Sequence, residues 1–543
     1  MRIRFDNAII YDGTGSSPHR GGLLVEDARI AAVQRYDGPI PATSLEADLV
    51  IDIKGMALAP GFIDAHGHTD LLVLEETMPW AKLRQGVTTE LFGQDGLSLA
   101  PLPFEYIKVW RESLAQLEGR SNAIDWKFRD TAGYLRLLEE RGIGINAGYL
   151  VPHGNVRLEV MGLQPRIATD AEIEVMCDVL QREIDGGGMG FSTGLLYAPC
   201  IYADQQEITK LCTVAARNKV PFAIHQRSEG DGIIASMKEA IAVARDSGVH
   251  LHFSHFKLCG GGTYNEPLFE RMLAMINAAE AEGIGITFDM YPYIAGSTLF
   301  GCILPPFAHA DGKEAMLANL HNPEFRKRVK EAITAPPSGW DNFVAFAGLD
   351  GILIANVQSE KNRDLVGKTM REAGEIRSKA PLDAAMDLIL EEENNVTMID
   401  FYGKEEQVEA LMRRPEMCAS TDGLLLGTPH PRAYNAFARF LGEYVRERKV
   451  LKLEEAVRKM TAKPAEIFAI PERGMLREGY FADIVVFDLA AVRDKGTFAE
   501  PRQHPDGIHC VMVNGAMAYG SAYLFGKEYR AANPAGKILK RAQ

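Results

Sequence analysis

A chain of 543 residues, 46% hydrophobic and 24% charged, is long enough for more than one domain or for one large barrel with additions. Its formal charge of -14 argues against nucleic acid as a partner, because phosphate backbones are held by positive surfaces. No apolar run reaches the roughly 18 residues of a membrane span, and none follows the start Met1-Arg2-Ile3-Arg4-Phe5-Asp6, so neither a membrane segment nor a signal peptide is expected. The seven cysteines, Cys177, Cys200, Cys212, Cys259, Cys302, Cys418 and Cys510, form no CxxC pair. They read as free thiols in a reducing compartment, which predicts a cytoplasmic protein.

Residues 1–59 carry short strands and turns: 7–11, then Asp12-Gly13-Thr14-Gly15, then 30–33. Residues 471–520 have the same texture, with strands at 483–488 and 510–513 before the turn Asn514-Gly515. These flanks predict one small β-sandwich domain built from 1–59 and 471–543. Between them, strands and helices alternate. Residues 62–64 read as a buried strand. Residues 171–185 read as a helix, with Ile173, Met176, Leu180 and Ile184 at helical spacing and Gly186-Gly187-Gly188 ending it. Strands are expected at 189–193, 221–225, 249–255, 286–291 and 417–421. Repeated βα units of this kind predict an α/β fold, a TIM-like (β/α)8 barrel over 60–470. Residues 306–410, rich in charged helices such as 323–333 and containing Pro336-Pro337, read as an insertion that forms a lid. Gly186 to Gly188 and Gly260 to Gly262 lack the GxGxxG pattern; the second run reads as a flexible loop, and phosphate binding is not expected at either. The mildly basic tail 527–543 reads as a solvated terminus.

The strand at 62–64 delivers His66-Gly67-His68. Side chains two apart on a strand share a face, so both imidazoles can aim at one point, as a divalent metal requires. A structural histidine pair is the alternative. Four further side chains share this placement just past an apolar strand: Asp95, His225, His255 and Asp422. A parallel barrel gathers its active site at those strand ends. His250 and His252 lie inside their strand and read as structural.

Pro60-Gly61-Phe62-Ile63-Asp64-Ala65-His66-Gly67-His68 resembles the first-strand motif of the amidohydrolase superfamily. The resemblance narrows to the N-acyl-D-amino-acid deacylases, or D-aminoacylases. It is carried by Arg84-Gln85-Gly86-Val87-Thr88-Thr89, by Val151-Pro152-His153-Gly154-Asn155-Val156-Arg157 and by Gly190-Phe191-Ser192-Thr193-Gly194-Leu195. Further along it is carried by His255-Phe256-Lys257, Tyr291-Pro292-Tyr293, Ser420-Thr421-Asp422-Gly423 and His430-Pro431-Arg432-Ala433-Tyr434. The matches keep their order over nearly the whole chain.

The resemblance implies a metal-centred barrel, a composite sheet domain from both termini, and hydrolysis of N-acyl-D-amino acids. It implies His66, His68, His225 and His255 as metal ligands and Asp422 as the acid/base. Lys257, Tyr291, Ser297 and Arg432 match positions that hold a substrate carboxylate, and Tyr197 and His153 are expected to line the pocket. The cofactor implied is a divalent metal, zinc above all, as one or two ions. The partner implied is a small molecule bearing a carboxylate; homo-oligomerisation stays open. One position departs from the family: its usual cysteine ligand in a Gly-Asn-Cys-Gly turn is Asp95 here, a harder donor than thiolate, expected to bind the metal itself. A metal-bridging lysine of the hydantoinase kind has no candidate. A cyclic-amide hydrolase and a non-catalytic scaffold stay open as alternatives.

Overall fold

The computed structural model describes residues 1–36, 46–114, 124, 126–260, 266–335 and 340–541. Gly261, Gly262, Pro336 and Pro337 lie outside the described residues, and with them most of the glycine run expected as a loop.

Eight parallel strands form the centre. They are β1 (Phe62–Asp64), β2 (Val87–Phe92), β3 (Asn146–Pro152), β4 (Gly190–Gly194), β5 (Phe222–His225), β6 (Leu251–Phe253), β7 (Ile286–Met290) and β8 (Met417–Ala419). Each pairs with the next. The seam between β8 and β1 closes just past the strand ends: the Asp422 N–H donates to His66 O at 2.8 Å, and Gly67 bridges Gly423. The (β/α)8 barrel is therefore as expected from the alternating pattern.

Helices cover the barrel through one apolar face each. In Asp170–Asp185 the residues Ile173, Met176, Leu180 and Ile184 are buried, as their spacing requires. Thr169 and Glu172 form a capping box that satisfies the first backbone N–H groups. The core between barrel and helices joins Leu180, Phe191, Phe222, Phe253, Phe288 and Phe437.

Among the described residues, strands from both ends of the chain share one nine-stranded sheet. Its joint is Ala57–Pro60, which runs parallel to Arg2–Ile10 and antiparallel to Ile484–Phe487, then leads directly into β1. A third sheet, of three antiparallel strands, lies in the inserted region: Gly296–Leu299, Thr397–Asp400 and Ile352–Asn356. Its first strand precedes the boundary expected at 306. Helices such as Pro323–Thr334 pack against it around Phe300, Val329, Met386 and Ile389.

The tail corrects one expectation. Instead of a solvated terminus, residues 536–539 bond to the backbone before and within β3: Gly536 N–H to Ile143 O at 2.7 Å and Leu539 N–H to Ala147 O at 2.8 Å. Ile538 and Leu539 are buried. These two apolar residues outweigh the lysines and arginines around them, whose long stems leave the charges at the surface. Among the described residues no helix is long and apolar enough to cross a membrane.

Candidate metal centre and active site

The strand ends bring His66, His68, Asp95, His225, His255 and Asp422 together, all buried. Gly67 keeps the two histidines adjacent, since a Cβ there would strike the Glu90 carboxylate. Asp95, His255 and Asp422 take the left-handed backbone region, with φ of 54°, 35° and 45°. That conformation is unfavourable for side-chain-bearing residues and occurs where a turn must aim a group at a site.

Asp95 stands between two groups of nitrogens. Its Oδ2 lies 3.5 Å from His66 Nε2 and 3.6 Å from His68 Nε2, and its Oδ1 lies 3.7 Å from His255 Nε2. His66 Nε2 and His68 Nε2 approach to 3.3 Å, and His225 Nδ1 and His255 Nε2 to 2.9 Å. Two sets, His66 with His68 and Asp95, and Asp95 with His225 and His255, each gather their donor atoms within 4.8 Å. Imidazole lone pairs this close repel unless a positive charge, a proton or a metal ion, lies among them. Burial holds His225 down at about 4, so at neutral pH the ring is neutral and carries a single N–H, leaving one nitrogen free to bind a metal. Asp95 Oδ1 and His225 Nε2 are buried and have no hydrogen-bond partner among the described residues. Such orphaned donors are what a metal ion satisfies, and the nitrogen and oxygen set suits zinc.

Carboxylates orient the ligand-type histidines from behind. Asp289 lies 3.5 Å from His66 Nδ1, 3.1 Å from His252 Nε2, and accepts from the His255 N–H at 3.0 Å. His252 thus has the structural place expected of it, and His250 bonds the Thr287 hydroxyl. Glu229 lies 3.1 Å from His255 Nδ1 and 2.6 Å from Lys257 Nζ. Burial disfavours the Glu229 charge, yet Lys257 and then His255 pull it down to about 2.

Asp422 Oδ1 is 3.4 Å from His68 Nε2, and its Oδ2 is 2.9 Å from Arg432 Nη2. Against burial, the Arg432 charge and the histidines hold this carboxyl well below the usual range. Arg432 sits over the Tyr291 ring at 4.2 Å and donates to Ser297 O at 3.3 Å. Its Nε and Nη1 are buried without a partner among the described residues. Lys257, Tyr291, Ser297, Arg432 and Tyr197 line one cavity with His68, Asp95, His225, His255 and Asp422. Its volume is about 40 Å³, and it shares Leu196 and Tyr197 with a larger, mostly apolar cavity of about 470 Å³.

His153 is placed elsewhere. It is fully buried, with its ring nitrogens 2.8 Å from the Thr193 hydroxyl and 2.7 Å from Glu207, and it is absent from the cavity wall. It opens the helix His153–Met161, with its ring towards β4 and the helix Gln205–Arg217. Sequence reasoning missed Asp289, Glu229 and Asp400. Asp289 carried a signal, a charge between the apolar Phe288 and Met290 of a buried strand.

A family model described as amidohydrolase family matches residues 356–519. The chain is 31% identical over 536 residues to a D-aminoacylase of Alcaligenes xylosoxydans xylosoxydans, covering 98% of this chain and 96% of that one. It is 33% identical over 516 residues to an N-acyl-D-aspartate deacylase of the same organism, covering 94% and 91%. Among solved structures, the N-acyl-D-glutamate deacylase from Bordetella bronchiseptica, complexed with zinc and a phosphonate inhibitor, superposes with a TM-score of 0.82 at 31% identity over 99% of both chains. With such relatives aligned along nearly its whole length, this chain belongs to the D-aminoacylase family of the amidohydrolases.

Proposed function

We propose that the protein is a metal-dependent deacylase that hydrolyses the amide of N-acyl-D-amino acids to a carboxylate and a free D-amino acid. The observation that carries this reading is one cavity in which the Asp95-centred donor cluster, an ionised Asp422 and an Arg432 with two unsatisfied nitrogens face the same small volume.

His66, His68, His225, His255 and Asp95 would hold one or two divalent ions, with the two Asp95 oxygens turned to the two histidine pairs. Zinc suits these donors and is the metal of the Bordetella relative. A bound divalent ion supplies a Lewis acid and brings the pKa of water from about 16 towards about 7. The other steps belong to the chain. Asp422, ionised at neutral pH, takes the proton of the attacking water and delivers it to the departing nitrogen, which must be protonated to leave. Arg432, with Nε and Nη1 unpaired, offers a charge-assisted hydrogen bond to the substrate carboxylate, which fixes the amide beside Asp422. Tyr291 and Lys257 complete that wall, and Tyr197 packs against His225 with ring centroids 4.9 Å apart.

In this reading residues 1–59 and 471–543 form one domain around a catalytic barrel at 60–470, which the pairing of Ala57–Pro60 with Ile484–Phe487 supports. The test is a hydrolysis screen of N-acetyl amino acids of both hands beside hydantoin and dihydroorotate, with metal measured on the same sample. Turnover of D-forms that scales with metal content is expected. Turnover of the cyclic amides alone would overturn the reading.

A further inference from the structure

Asp400 is a carboxylate without an occupation. It ends the strand Thr397–Asp400, is 2% exposed, and lines the same cavity as Lys257, Tyr291 and Arg432. Its Oδ2 has no hydrogen-bond partner among the described residues. The cations nearby are already committed: Lys257 pairs with Glu229 at 2.6 Å and Arg432 with Asp422 at 2.9 Å. Directly across the ladder stands Gly296, where a Cβ would lie 3.2 Å from Asp400 Oδ1 and 2.9 Å from the Tyr402 ring. The absent side chain keeps the space beside the carboxyl clear.

A buried acceptor left unpaired costs stability, and chains keep such groups where a ligand completes them. The cavity therefore presents two unsatisfied donors on Arg432 and one unsatisfied acceptor on Asp400. A complementary ligand carries an anion for the first and a hydrogen-bond donor for the second. Resting on the deacylase reading, we propose that Asp400 selects the substrate side chain: the enzyme takes N-acyl-D-amino acids whose side chain ends in a hydrogen-bond donor, and rejects acidic ones. A second carboxylate at this place would meet Asp400, and the arginine of the neighbouring larger cavity, Arg227, is already bound to Glu239 and to the Ile201 and Ala203 carbonyls.

The experiment uses the metal-loaded full chain and four substrates of similar length, the N-acetyl derivatives of D-glutamine, D-lysine, D-methionine and D-glutamate. The glutamine or lysine derivative should exceed methionine in kcat/KM by about tenfold, the scale of one hydrogen bond, and the larger of the two tells a neutral from a cationic donor. Glutamate should be the poorest in assays above about pH 7, because burial pushes the Asp400 carboxyl up to about 7 and it repels a second carboxylate only when ionised. Asp400→Leu should erase the advantage over methionine, and a thermal unfolding transition like the parent's, followed by circular dichroism, shows that the variant folds. Asp400→Asn, nearly isosteric, should raise glutamate relative to lysine, since an amide can donate to a carboxylate. Equal rates on all four substrates, or equal losses on all four in both variants, would overturn the proposal. Failure on every N-acetyl-D-amino acid would instead bring down the deacylase reading, and this selection with it.

Discussion

Asp64 grips Thr421 across the closing seam of the barrel: its Oδ1 accepts from the Thr421 N–H at 2.8 Å and its Oδ2 from the Thr421 hydroxyl at 2.6 Å. Asp64 stands two residues before His66, and Thr421 one residue before Asp422. One buried carboxylate therefore sets the spacing of a metal-ligand candidate and the acid/base candidate. Lys82, fully buried, donates to Asp64 at 2.6 Å and to the Thr421 hydroxyl at 2.7 Å, with Glu90 at 3.5 Å.

Lys82→Met leaves two carboxylates in the core without their cation. Breaking a buried pair in this way costs about 3–5 kcal/mol. Urea unfolding should show that loss, and a change below about 1 kcal/mol would mean the network is held together without the lysine.

Asp422→Asn keeps the shape of the side chain and removes its basicity. Turnover should fall by at least about a hundredfold with metal content unchanged. Activity within a few-fold of the parent would assign the proton transfer to another group.

Arg432→Met should lower kcat/KM on N-acyl amino acids by roughly 1.5–3 kcal/mol more than on analogues in which the carboxylate is an amide. Lys257→Met should behave differently, because it also strands Glu229 beside His255. We expect it to weaken metal retention as well as catalysis. Identical profiles for the two variants would contradict this division of roles.

Asp341 carries a pH signature. It accepts from the Ser228 hydroxyl at 2.5 Å and the Glu229 N–H at 2.8 Å, clasping the turn that bears Glu229. Burial nonetheless pushes its carboxyl up to about 6. The folded chain then holds this proton more tightly than the unfolded chain, where the pKa is near 4. Its contribution to stability is full below about pH 4 and is lost as pH rises through about 6. Asp341→Asn removes the titration, so the variant should gain on the parent between those values by up to ~3 kcal/mol. Parallel stability curves for the two proteins over that range would exclude it.

Much of this site was legible because strand ends are legible. His66, His68, His225, His255 and Asp422 each follow a short apolar run, and parallel topology forces such ends together. Asp95 was readable through its glycine-flanked turn. What supports them was not. Asp64 meets Thr421 across 357 residues, and Lys82 meets Thr421 across 339, contacts that only barrel closure creates. Asp289 faces inward from the middle of β7, and Glu229 sits in a loop with no periodicity to mark it. Asp400 lies in the inserted region, whose charged helices concealed two short strands. His153 lies in one of the stretches that carry the family resemblance, yet its ring bonds Thr193 and Glu207 away from the cavity, since membership of a motif does not fix a direction.

The central claim is that Asp95, in the place of the family's cysteine, is a metal ligand shared by the two histidine pairs. The most direct measurement is diffraction from zinc-loaded crystals on both sides of the zinc absorption edge. The account predicts an anomalous peak at roughly 2.0–2.2 Å from an Asp95 oxygen and from His225 and His255 nitrogens, with any second peak on the His66 and His68 side. Zinc bound with Asp95 turned away, or no zinc among these residues at all, would contradict it.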